Sequence, residues 1–126
     1  MFKLIFVFAA VSGLASVVLG AFASHGLKGS LDDRLQHAFE TAVSYQMSHS
    51  LALLLVCILM EQWGRHWALN WASWAFTAGI VLFCGSLYLL TLTGLKWPGP
   101  VTPVGGLAFI LGWALLAVGI WKNAVV

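Results

Sequence analysis

The chain has 126 residues, 61% of them hydrophobic and 8% charged, with a formal net charge of +2. Charges so few and so scattered exclude a nucleic-acid-binding surface, and the polar remainder is too short for a soluble domain. Four stretches lack Asp, Glu, Lys and Arg altogether, at 4–27, 41–60, 66–95 and 97–121. A helix needs about 20 apolar residues, rising ~1.5 Å each, to cross ~30 Å of hydrocarbon. The expected fold is therefore all-α, an integral membrane four-helix antiparallel bundle. It forms one domain over 1–126, with spans near 4–23, 41–60, 67–92 and 104–121.

The first span carries Ser12, Ser16, Gly20 and Ser24 at four-residue intervals. Such a small-xxx-small stripe lets another helix approach closely, within the bundle or in a second copy. The same N-terminal region resembles a signal peptide, with Lys3, an apolar run and Ala21-Phe22-Ala23. The run is as long as a full span and further spans follow, so a retained helix is expected.

The segment 26–29 breaks the first helix, and Ser30 is the expected cap of the second, with Asp33 reaching back to the capped backbone. Leu31, Leu35, Ala38, Phe39 and Ala42 follow helical spacing, and 31–60 contains neither Gly nor Pro. One long helix is as consistent with this pattern as two.

A polar turn is expected over 61–66. Trp63, Trp67, Trp71 and Trp74 are expected on one helical face at the membrane boundary, where indole rings anchor. Three prolines and two glycines interrupt 94–103. Thr102 is a plausible cap for the fourth span and Pro103 suits its first turn. Gly105, Gly112 and Gly119, seven residues apart, keep one face of that span smooth for helix packing.

An even number of spans puts both ends on one side. Lys3, Arg65 and Lys122 fall on that side, Lys28, Arg34 and Lys96 on the other. The positive-inside rule barely decides between three and three; the N-terminal amine and His66 tip the choice to cytoplasmic termini.

Polar groups in hydrocarbon are costly and call for an account. Tyr45 and His49 share a face of the second span, with Gln46 beside them. Antiparallel order brings His25, Tyr45, Gln46, His49, Tyr88 and Thr102 toward one membrane face. They form either a polar pocket or a node that locks the bundle. No catalytic motif, metal-ligand spacing or phosphate loop is present, and Cys57 and Cys84 read as packing residues. No cofactor is implied, and nothing argues for an enzyme.

Segment 20–27, Gly-Ala-Phe-Ala-Ser-His-Gly-Leu, resembles the G-A-F-x-A-H-G phrase of DUF423, a family of small membrane proteins of unknown function related to transmembrane protein 256. Ser24 stands where Ala is commoner. Further similarity lies in 41–46 with His49, in 85–88 with 92–94, and in 102–106 with Gly112-Trp113. The resemblance implies a four-helix bacterial inner-membrane protein and no established activity. Three roles then compete: a structural or accessory bundle associating as a homo-oligomer or in a larger membrane complex, a small transporter or channel, and a binder of lipid, quinone or haem. Against transport, Glu40 is the only acid that approaches the bilayer.

Overall fold

The computed structural model describes residues 2–27 and 29–125. Lys28, part of the expected helix break and one of the basic residues, lies outside them. Four helices are long and apolar enough to cross a membrane: α1 (Phe2–His25), α2 (Asp33–Trp63), α3 (Trp67–Thr93) and α4 (Val101–Asn123). No strand occurs among the described residues.

α2 is a single helix of 31 residues, as the absence of any breaker allows. Its cap is Asp32 rather than Ser30: the Asp32 carboxylate accepts from Leu35 N at 2.8 Å. Ser30 instead closes the preceding turn, donating its backbone N–H to Leu27 O at 2.8 Å. α2 also runs past the expected turn to Trp63, so the polar connection shrinks to Gly64, Arg65 and His66. Gly64 at φ 85° takes a left-handed conformation there that a side chain would disfavour. Trp63 therefore ends α2, half-buried against the core, while Trp67, Trp71 and Trp74 stand exposed on α3. The four indoles do not share one helix face. Arg65 lies over the Phe2 ring at 5.3 Å, which puts the α2–α3 turn beside the start of α1.

The α1 stripe packs on α2, within the chain. Ser12 and Ser16 are buried and Gly20 meets Val43, but Ser24 is exposed and Ala23 takes its place. Steps of four residues gain about 40° each on a helix of 3.6 residues per turn, so a strict four-residue stripe drifts off its own face.

α3 and α4 pack most closely, and here the glycine heptad is placed in detail. A Cβ on Gly105 would sit 2.6 Å from the Phe83 Cα, one on Gly112 2.7 Å from the Phe76 ring, and one on Gly119 2.5 Å from Leu69. Leu69, Phe76 and Phe83 are themselves seven apart, so knobs on α3 fill the hollows on α4 in antiparallel order. Gly79 reciprocates by making room for Phe109.

A π-helical turn at Ile80–Cys84 lies inside α3, a feature absent from the sequence expectations. A wide turn of this kind inserts one residue, which rotates the rest of the helix by about 100° relative to an unbroken one. Ser86 and Tyr88 lie directly beyond it. At α4, Thr102 does not cap: the helix begins at Val101 after Pro100, with no side-chain cap, and Pro103 sits in the first turn, where its missing N–H costs nothing.

Candidate functional site

α1, α2 and α3 meet in a buried chain of hydrogen bonds centred on Gln46. Its Nε2 donates to Ser12 O at 3.1 Å and to Ser12 Oγ at 3.2 Å. Its Oε1 accepts from the Tyr88 hydroxyl at 2.5 Å, and Ser50 Oγ donates to Ser12 Oγ at 2.7 Å. Gln46 and Ser50 lie four residues apart and so project from one face of α2 toward both neighbours. The amide satisfies its donor and its acceptor within the bundle, which removes the cost of burying it. Behind Gln46, the Tyr88 ring packs on Phe39 at 5.1 Å.

Two smaller connections accompany this node. Ser86 Oγ and Thr102 Oγ1 lie 2.5 Å apart and join α3 to α4. His49 Nδ1 lies 2.8 Å from Tyr45 O, and Trp113 Nε1 donates to His49 Nε2 at 3.0 Å. A backbone carbonyl only accepts and an indole N–H only donates, so the ring with its proton on Nδ1 satisfies both. The His49 ring also stacks on Phe109 at 3.7 Å between centroids.

The α2 and α4 backbones stay apart and meet through side chains such as His49, Phe109 and Trp113. Between them opens a groove of about 720 Å³ whose wall includes Tyr45, His49, Phe83, Phe109 and Trp113. Tyr45 stacks on Phe83 at 4.8 Å and is 43% exposed. Its hydroxyl has no hydrogen-bond partner among the described residues.

The six residues singled out from sequence thus separate. Gln46 and Tyr88 meet in the node, Thr102 belongs to the Ser86 link, and His49 faces Trp113. Tyr45 points to the groove rather than into the bundle. His25 is exposed at the end of α1 and makes no hydrogen bond with the described residues, so it does not join the others. Ser12, Ser50 and Trp113 belong with the node and its neighbours, although the sequence does not assign them there. Ser50 carries a signal, its i+4 spacing from Gln46. Ser12 reads as part of the packing stripe. Trp113 gives no sign of a polar role. Among the described residues, no group of three or more His, Cys, Asp or Glu could hold a metal ion.

A family model described as a protein of unknown function, DUF423, matches residues 19–106. The chain belongs to this family. Curated relatives match along nearly their whole length. UPF0382 membrane protein SAB0533 of Staphylococcus aureus (strain bovine RF122 / ET3-1) is 41% identical over 122 residues, 97% of this chain and 98% of the relative. SH2409 of Staphylococcus haemolyticus is 41% identical over 120 residues, 95% of this chain and 97% of the relative. YwdK of Bacillus subtilis (strain 168) is 39% identical over 120 residues, 95% of this chain and 98% of the relative. No solved structure matches. The chain is accordingly a small multi-pass membrane protein of an uncharacterised family, and the bilayer is its surroundings.

The Tyr88–Gln46 bond is testable on its own. Tyr88→Phe is expected to lower stability by about 1–2 kcal/mol, the upper part of the range for hydrogen bonds between membrane helices. In a Tyr88→Phe, Gln46→Leu double-mutant cycle read by thermal unfolding in detergent, the double variant should lose less than the sum of the two single losses. Strict additivity would mean that the bond contributes nothing.

Proposed function

We propose that this chain is an accessory bundle of the cell inner membrane, with both termini cytoplasmic, that packs with itself or within a larger membrane complex rather than catalysing a reaction. The observation that carries this reading is the mutual pairing of the buried polar groups: Gln46, Ser12, Ser50 and Tyr88 direct their hydrogen bonds at one another. A catalytic or ion-carrying site needs groups free to meet a substrate. Cation-coupled transport loses support because α1 holds no acid. Glu40 is exposed and accepts from Gln36 Nε2 at 2.9 Å.

In mild detergent the protein is expected to migrate as a defined oligomer or with one reproducible membrane partner, read by native mass spectrometry. A strictly monomeric, partner-free protein overturns the reading. For orientation, a cytoplasm-dependent reporter fused to either terminus should be active; inactivity at both reverses the topology.

The groove favours a second reading, binding of a lipid or quinone beside the rings of Tyr45, His49 and Phe109. Haem is disfavoured, because axial ligation needs a free imidazole nitrogen and Trp113 already donates to His49 Nε2. An absorption spectrum of the purified protein tests this: a Soret band would restore haem, and ultraviolet quinone bands would support the quinone.

A further inference from the structure

At the membrane boundary remote from the termini, the first turn of α2 and the segment after α3 enclose a hollow of about 330 Å³, lined by Arg34, Leu35, Leu90, Gly94, Leu95 and Lys96. Its placement comes from local chemistry. Gly94 takes φ 74° and ends α3 with its N–H on Leu90 O, and after this turn Lys96 lines the same hollow as Arg34. Asp32 caps α2 and fixes Arg34 within its first turn.

Two features set this hollow apart. Both its charged groups are cations, and neither Arg34 nor Lys96 forms an ion pair with the described residues. Asp32 and Asp33 belong to the same stretch of α2 but do not line the hollow. The remaining wall is three leucines and a glycine. Cations above an aliphatic wall, at the level where a span leaves the bilayer, match an amphiphile with an anionic head and a hydrocarbon tail.

We propose that this hollow binds an anionic phospholipid, its phosphate between Arg34 and Lys96 and the start of an acyl chain along Leu35, Leu90 and Leu95. Arg34 can hold two phosphate oxygens at once, whereas Lys96 acts as a point charge. A free phosphate shares the head chemistry but leaves the leucine wall unused. The site is separate from the polar node and from the α2–α4 groove, so it stands whatever the bundle packs against.

The test uses the full chain in nanodiscs of phosphatidylcholine with a minor share of phosphatidylglycerol, and native mass spectrometry of the lipid it retains. The wild-type protein should retain phosphatidylglycerol in preference to phosphatidylcholine. Arg34→Gln or Lys96→Gln should each weaken that preference about fivefold, through loss of one of the two cations that line the hollow. The double variant should weaken it about 25-fold. Arg34→Lys should restore part of it. Both residues are exposed, so the variants should fold, and unfolding curves check this. Arg65→Gln and Lys122→Gln, at the opposite boundary, should leave retention unchanged. Equal retention of the two lipids by the wild type, or an equal loss in the Arg65→Gln and Lys122→Gln controls, overturns the proposal. So does displacement of the lipid by millimolar inorganic phosphate, which would mark a phosphate site without the tail.

Discussion

Gly105→Ala is expected to cost about 3 kcal/mol, the upper part of the usual range for overpacking. The added methyl would lie against the Phe83 nitrogen and 2.6 Å from its Cα. Backbone cannot rotate away as a side chain can, so α3 and α4 must separate along their length or distort the π-turn that holds Phe83. Gly106→Ala is the internal control. One residue on, its methyl would meet the Phe83 ring at 3.8 Å, an ordinary contact, and alanine is the better helix former. That variant should match or slightly exceed the wild type in thermal unfolding. Gly112→Leu falls between, at about 1–3 kcal/mol, because its obstacle is the buried Phe76 ring. If Gly105→Ala and Gly106→Ala unfold at the same temperature, the close approach of α3 and α4 is wrong.

The four crossings were legible because absence of charge over twenty or more residues has one strong physical cause. The glycine heptad was legible for a related reason: a face of Gly105, Gly112 and Gly119 serves only close packing. What it packs against was not legible, since the matching heptad of Leu69, Phe76 and Phe83 is ordinary hydrophobic sequence. The π-turn left no trace for the same reason. Ile80 to Cys84 are apolar residues that suit an α-helix equally well, and only tertiary packing selects the wider turn. Ser30 misled as a cap because the neighbouring Asp32 supplies the same kind of acceptor, and Thr102 misled because α4 starts after Pro100 with no side-chain cap at all. The polar cluster was half legible. Helical spacing put Gln46 beside Tyr45 and His49, and the cost of an unpaired amide in hydrocarbon turned it inward. Neither says which neighbour reaches it, so His25 was included and Ser12 left out. His25 failed because a position at a helix end carries no information about rotation toward the bundle.

His49→Ala is expected to destabilise the bundle by about 2–4 kcal/mol, as for other large-to-small changes in a packed interior. His49 is 6% exposed, and its loss would open a void beside Phe76 and Phe109 and strip the Trp113 N–H of its acceptor. Such a loss alone cannot distinguish a residue that locks the fold from one that serves a ligand in the groove. Trp113→Phe makes the distinction. It removes the N–H donor and keeps a ring at a position 47% exposed, so its cost should stay within about 1 kcal/mol, typical of one hydrogen bond between membrane helices. If the His49–Trp113 pair only fixes α4 against α2, any cellular phenotype of Trp113→Phe should track protein abundance and be nearly wild-type. A variant that is folded and abundant, yet as defective as a deletion, would instead assign the groove a ligand and displace the accessory-bundle reading. Measuring abundance, unfolding temperature and phenotype for both variants decides between the two. The answer rests on Trp113→Phe, because its expected stability loss is too small to explain a lost function.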